Sequence, residues 1–210
     1  MNTVGTEVAK KLLGIGAIKV QPENPFTWAS GWKSPIYCDN RKILSFPETR
    51  TFVRDRFVEI ISEKYPGAEV IAGVATGAIA MGALVAEVLG LPFIYIRSKP
   101  KGHGLENLIE GVMKPGQKVV VVEDLISTGG SSLSAAEAVV HDGGIVLGMV
   151  AIFTYGFPHA IDNFKQAGIE LTTLSNYQLL IDTAVNTGSV SDVQVATLMK
   201  WREDPANWGK

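Results

Sequence analysis

The sequence predicts an α/β protein: a central, mainly parallel sheet flanked by helices, with a small appendage at the N-terminus. Three observations carry this. Between about residues 69 and 174, short apolar runs alternate with helix-patterned segments, the rhythm that crossover helices impose on a parallel sheet. One run, residues 119–122, is four consecutive valines, the composition of a strand buried on both faces. Ahead of this region, residues 21–40 hold three prolines and two tryptophans, which reads as turns and short strands.

The 210 residues are 46% hydrophobic and 19% charged, enough apolar material for one large domain with a sizeable core, which excludes disorder for most of the chain. Nineteen Lys and Arg against 21 Asp and Glu leave a net charge of −2. No broad basic surface is expected, so neither nucleic acid nor membrane is an expected partner, and an anionic ligand must meet its positive charge locally. The single cysteine, Cys38, has no partner for an internal disulfide. His103, His141 and His159 lack the paired spacing of a structural zinc site, and a reducing cytoplasm fits. The N-terminus lacks the apolar core and cleavage site of a secretory signal. The uncharged stretch at residues 70–86 is shorter than the ~20 residues that span a bilayer.

In order along the chain, residues 6–18 place Val8, Leu12, Leu13 and Ile15 at roughly helical spacing. Residues 47–64 predict an amphipathic helix with Phe52, Phe57, Ile60 and Ile61 on one side, stopped by Pro66 and Gly67. A strand at 69–73, a glycine-containing loop at 74–79, a helix to Leu89 and a strand at 93–97 follow. A loop over 98–110 leads to a strand at 118–122, a Ser/Thr/Gly loop, a helix at 132–141 and a strand at 146–153. One more helix, 161–165, and strand, 167–174, complete the alternation, and 177–208 reads as helical or irregular. The appendage is expected over 1–45 and the core over 46–210, together one structural unit.

The chemistry is concentrated in residues 119–132, VVVVEDLISTGGSS. Glu123 and Asp124 emerge at the carboxyl end of the valine strand, the edge where open α/β sheets bind ligands. Ser127, Thr128, Gly129, Gly130, Ser131 and Ser132 follow. Such small residues let backbone N–H groups face inward at a helix N-terminus, which makes an anion cradle out of backbone. A phosphate held there leaves an attached sugar beside two carboxylates able to accept hydrogen bonds from a vicinal diol, so a phosphorylated ribose fits. The plainer alternative has the acids ending a strand, capping a helix or holding Mg²⁺ as in a P-loop NTPase. That class requires G-x-x-x-x-G-K-[ST], and the nearest approach, GVMKPGQK at 111–118, has Gln117 at the lysine position and leads into a strand. No G-x-G-x-x-G joins a strand to a helix, so a dinucleotide site is not expected.

Residues 97–103, RSKPKGH, gather Arg97, Lys99, Lys101 and His103 with no acid among them. With Pro100 and glycines at 102, 104 and 111, the segment reads as a lid, the alternative being a solvated basic turn. EDLISTGGS after an apolar strand resembles the phosphoribosyl pyrophosphate (PRPP) motif of the type I phosphoribosyltransferases. Arg97, Lys101, His103, Gly104, Asn107 and Gly111 resemble the R-x-x-x-K-x-H-G and N-x-x-x-G loop of the orotate phosphoribosyltransferases. FTWASGWKSPIYCDNR, residues 26–41, is similar to the F-x-x-x-S-G-x-x-S-P-x-Y segment that forms a hood over the base in the same family.

The resemblance implies the type I phosphoribosyltransferase fold and a pentosyltransferase activity: transfer of the 5-phosphoribosyl group from PRPP to N1 of orotate, giving orotidine 5′-monophosphate and pyrophosphate in pyrimidine synthesis. It implies PRPP bound by Arg97, Lys101, His103, Glu123, Asp124, Leu125, Ile126, Ser127, Thr128, Gly129, Gly130 and Ser131, with Lys101, Asp124, Arg97 and His103 catalytic. Orotate would meet Ser127 and Tyr37, and pyrophosphate the loop Ala75, Thr76 and Gly77. Mg²⁺ would be carried by PRPP without a direct protein ligand, and the protein would be a cytoplasmic homodimer sharing its lid across the interface. Some family members have lysines where this chain has Ala29 and Ser98, for which Lys33 and Lys99 stand nearby. Some have an orotate-contacting arginine where it has Tyr155. Two other readings compete. An enzyme for another base would share the PRPP loop without this hood and lid, and a PRPP-sensing regulator would need a nucleic-acid face that is not found. His141 reads as a helix-terminal residue, His159 as exposed in a turn, and Trp28 and Trp32 as hood packing.

Overall fold

The computed structural model describes residues 3–28, 30–98 and 108–209. Helix α1 (Thr3–Gly14) leads into β1 (Ile18–Val20), which pairs antiparallel with β4 (Ile36–Cys38). Between them β2 (Phe26–Thr27) and β3 (Lys33–Ser34) form a second short antiparallel ribbon. The proline- and tryptophan-containing segment is therefore two small hairpin-like layers. A 3₁₀ turn, Asn40–Ser45, connects them to α2 (Pro47–Lys64), with Pro47 in the first turn, where its missing N–H costs nothing.

The bounds of α2 match the sequence pattern, and its expected apolar side faces the core, with Phe57 and Ile61 buried and Phe52 and Ile60 packed at its edge. Thr49, Val53, Phe57 and Ile61 form the buried line at i, i+4 spacing. Phe52 and Ile60 flank it, half-buried, and the Phe52 ring lies under Lys11 Nζ at 5.0 Å and the Arg56 guanidinium at 5.4 Å. Long cationic side chains cover an aromatic ring here that the sequence pattern had assigned to the apolar side.

The main sheet has six strands in the order β10 (Leu171–Asn176), β9 (Ile145–Thr154), β8 (Lys118–Ile126), β5 (Val70–Val74), β6 (Phe93–Ile96), β7 (Ile109–Glu110). All neighbours are parallel except β6 and β7. Val119 to Val122 are fully buried, and at roughly 1.5–3 kcal/mol for each buried valine they anchor the middle of the sheet. Strand β8 runs to Ile126, past the expected end at 122, because the ten-residue β9 offers register partners as far as Leu125↔Phe153 and Ile126↔Thr154. Glu123 and Asp124 therefore lie on the strand.

Helices α3 (Ile79–Leu89), α4 (Gly130–His141) and α5 (Pro158–Gln166) connect the strands. His159 is exposed as expected, but it lies in the first turn of α5. Strand β6 falls where the sequence predicts it, whereas β7 was not legible as strand, since its two residues, Ile109 and Glu110, carry no detectable period. The last strand starts at Leu171 because Gly168, at φ +67°, ends the preceding helix turn. The C-terminal segment resolves into α6 (Tyr177–Asn186) and α7 (Asp192–Glu203). Asn176 caps α6 by accepting from the Leu179 N–H, and a Ser191/Gln194 capping box starts α7. Among the described residues no helix is long and apolar enough to cross a membrane.

The chain leaves β5 toward β6 and β7 on one side, while β8, β9 and β10 stack on the other. Loops at the carboxyl ends of β5 and β8 thus diverge, and open sheets place a crevice at such a switch point.

Candidate active site

At that point lies a cleft of about 480 Å³. Its walls include Val74 at the end of β5 and Ala75, Thr76 and Gly77 after it, Arg97 and Ser98 after β6, and Glu123, Asp124, Leu125, Ser127, Thr128, Gly129 and Ser131 from β8, the loop after it and the start of α4. Gly129 occupies the N-cap of α4 at φ +82°, a left-handed conformation suited to glycine, and a β-carbon there would also meet the Phe164 ring at 3.0 Å. No side chain among the described residues caps α4, so its first N–H groups remain for a ligand and carry the positive end of the helix dipole. Gly130 opens the helix. Ile126 is fully buried, and its carbonyl accepts the Tyr155 N–H at 3.1 Å and the Thr154 hydroxyl at 3.2 Å, so this carbonyl secures the stem of the loop.

Glu123 and Asp124 have different environments. Glu123 is 5% exposed. Its Oε1 accepts the Asp124 N–H at 2.9 Å and its Oε2 accepts the Ser132 hydroxyl at 2.9 Å. Burial first, then the neighbouring Asp124 charge and a side-chain hydrogen bond with Asp124, push the Glu123 carboxyl up to about 8. Asp124 is half-buried, and its backbone carbonyl accepts from Asn40 Nδ2 at 2.6 Å. Asn40 is itself buried, so the appendage holds the acid-bearing end of β8. The Asp124 side chain packs over Gly77, bringing the loop after β5 and the acids of β8 together. The partners Asn40 and Ser132 were missed from sequence. Asn40 stands in no pattern that distinguishes it from any other polar residue near a turn, and Ser132 reads in the sequence only as a small residue of the amide cradle, not as a donor to Glu123.

Arg97 lines the cleft, and its Nη1 is 3.2 Å from Glu110 Oε1 across the β6–β7 pair. Its backbone N–H donates to the Leu108 carbonyl at 2.8 Å, which closes the base of the segment expected to be a lid. Lys99, Lys101, His103, Gly104 and Asn107 of that segment, and Ala29 of the appendage, lie outside the described residues.

A second pocket of about 340 Å³ adjoins the cleft. Thr27, Trp28, Tyr37, Cys38, Leu125, Ser127 and Tyr155 line it, so Leu125 and Ser127 face both spaces. Tyr155 is buried, with its ring 5.2 Å from Trp28, and Trp28 Nε1 donates to the Ile36 carbonyl at 3.0 Å. Trp28 therefore packs and also lines a cavity, while Trp32 stacks on it at 6.5 Å. Burial pushes the Cys38 thiol and the Tyr155 phenol up, which leaves both neutral near pH 7. The lining is aromatic and uncharged, with a cation at the rim where Lys33 Nζ donates to Thr27 Oγ1 at 2.9 Å. A planar ring fits such walls.

Residues 47–154 match the phosphoribosyl transferase domain family. The orotate phosphoribosyltransferase of Phocaeicola vulgatus is 61% identical over 208 residues, covering 99% of this chain and 98% of its own. The chain belongs to the orotate phosphoribosyltransferase family. The orotate phosphoribosyltransferase of Aeropyrum pernix superposes with a TM-score of 0.76 at 27% identity, covering 88% of this chain and 99% of that one. The UMP synthase of Leishmania donovani shares the fold, with a TM-score of 0.80 at 23% identity over 96% of this chain and 42% of that one. An orotate phosphoribosyltransferase must bring a phosphorylated sugar and a flat base together, and the two adjoining spaces meet at Leu125 and Ser127.

Proposed function

We propose that the cleft binds PRPP, that the aromatic side pocket binds orotate, and that the phosphoribosyl group passes between them beside Ser127. The observation that carries this is the shared wall: Leu125 and Ser127 belong to both spaces, next to an uncapped helix N-terminus and two acids.

In this reading the backbone amides from Ile126 to Ser131 hold the 5′-phosphate, so that binding energy remote from the reaction fixes the anomeric carbon. Asp124, braced by Asn40, accepts the ribose hydroxyls with Glu123 behind it. Displacement at the anomeric carbon builds positive charge on the sugar and negative charge on departing pyrophosphate. Asp124 stabilises the first, and the amides of Ala75, Thr76 and Gly77 with Arg97, Lys101 and His103 stabilise the second. Ser127 and Tyr37 contact orotate, and Lys33 stands at the rim for its carboxylate.

The family resemblance also implies Mg²⁺. The donor set suits a cation held through PRPP oxygens, because Asp124 offers its carboxylate within the cleft opposite the 75–77 loop while both oxygens of Glu123 already accept hydrogen bonds. When bound, the ion supplies charge neutralisation for the leaving group. A cytoplasmic homodimer with a shared lid completes the proposal.

Turnover tests it. PRPP with orotate, uracil, adenine or hypoxanthine, each with and without Mg²⁺, is expected to release pyrophosphate and form a nucleotide only with orotate and the metal. Nucleotide formation from another base, or none from orotate, overturns the substrate assignment.

A further inference from the structure

We propose that α7 belongs to the base-recognition machinery, with Trp201 and Arg202 as positioning residues that hold the aromatic wall of the side pocket. The inference rests on the reading of that pocket as the orotate site.

Trp201 is fully buried and touches both halves of the wall. Its ring meets Trp28 of the appendage edge-on at 5.7 Å, and Tyr155 and Phe157 beyond β9 edge-on at 5.6 Å each. Its Nε1 donates to the Lys33 carbonyl at 3.2 Å, which ties the β2–β3 ribbon to the same side chain. The appendage and the sheet, separate in sequence, are thus clamped on one indole.

Arg202 acts on the backbone. The last β9 residue in register with β10 is Thr154, so the Tyr155 and Gly156 carbonyls lie beyond that ladder. Arg202 Nε donates to the Tyr155 carbonyl at 3.2 Å and Nη2 donates to the Gly156 carbonyl at 3.1 Å. Gly156 sits at φ +64°, and this left-handed turn directs both carbonyls to one planar fork. The guanidinium also lies over the Tyr177 ring at 5.5 Å, which sets its own orientation. The PRPP cleft, by contrast, is built from β5, β6, β8 and α4. Loosening α7 therefore acts first on the Tyr155 and Trp28 rings, and reaches the phosphate cradle only through the Tyr155 N–H that donates to the Ile126 carbonyl.

The test varies each substrate separately with Arg202→Gln, Arg202→Lys and Trp201→Phe. Arg202→Gln is expected to raise KM for orotate about tenfold while KM for PRPP stays within about twofold, the pattern of a lost ground-state contact on one substrate. Arg202→Lys, which keeps the charge but not the fork, falls between, and Trp201→Phe raises KM for orotate with no effect on PRPP. Thr27→Trp, an exposed lining residue, narrows the pocket directly. If Thr27→Trp leaves KM for orotate unchanged, the pocket assignment falls and the role of α7 with it. If Thr27→Trp raises it but the α7 variants do not, or if they raise both KM values together, only the positioning role is overturned.

Discussion

A β-carbon on Gly77 would stand 2.6 Å from Oδ1 of Asp124. The loop after β5 and the acid end of β8 are close enough that the absence of a side chain on one is required by the carboxylate of the other. An ion or pyrophosphate held by the loop is thereby within reach of the acid proposed to hold the ribose.

Gly77→Ala turns the Asp124 carboxylate away. The clash is with the end of a side chain and not with backbone, so the fold adapts while the site does not. The expected result is a loss in kcat/KM for PRPP of about a hundredfold, comparable to losing one preorganised electrostatic contact, with thermal unfolding shifted by only a few degrees. Activity close to that of the parent would show that Asp124 has room to spare.

Glu123 links protonation to stability. Its carboxyl titrates near 8 in the folded chain against an ordinary value of 4.5, so between these values the folded state keeps a proton that the unfolded state has released. Stability from this group is complete below about 4.5 and is lost as pH rises to about 8. Glu123→Gln keeps the shape and removes the titration. Thermal unfolding of ligand-free protein at pH 5 and pH 8 is expected to show a smaller loss for the variant, with higher stability at pH 8. Equal slopes for the two proteins would refute the linkage.

Arg97 and Glu110 form a partly exposed pair at 3.2 Å, of the kind worth less than about 1 kcal/mol to stability. If Arg97 turns to the pyrophosphate when PRPP binds, it leaves Glu110 to do so. Glu110→Gln is then expected to leave the unfolding temperature nearly unchanged and to lower KM for PRPP. A higher KM would mean that Glu110 orients Arg97 toward the ligand instead.

Lys101→Ala is expected to lower kcat by the ~2.7–4 kcal/mol associated with one preorganised donor at developing negative charge. If the lid serves the neighbouring subunit, mixing Lys101→Ala with Asp124→Asn protein restores part of the activity, since hybrid dimers contain one intact site. No recovery despite demonstrated subunit exchange counts against a shared lid.

The parts of the site legible in the sequence are those whose chemistry is local. Glu123, Asp124 and the amide cradle lie within a dozen residues, and a strand of four valines already sets their direction and edge. The alternation of strands and helices was likewise visible, because hydrophobic period reports burial one element at a time. The line Thr49, Val53, Phe57 and Ile61 on α2 shows the limit. The period located the helix and its apolar side, but which residues formed the buried centre and which the edge depended on neighbours such as Lys11.

By itself the sequence determined the fold class and the family, and it put Glu123, Asp124 and the small-residue loop together after one buried strand. Only the tertiary structure decided that Asn40 holds the Asp124 carbonyl from 84 residues away, that Gly77 makes room for the same residue, and that Trp201 and Arg202 back the wall formed by Trp28 and Tyr155. The physical reason is range. Strand and loop propensities act over a few neighbouring residues, whereas a hydrogen bond or ring contact between distant segments is set by how the strands stack, and no local pattern encodes that stacking.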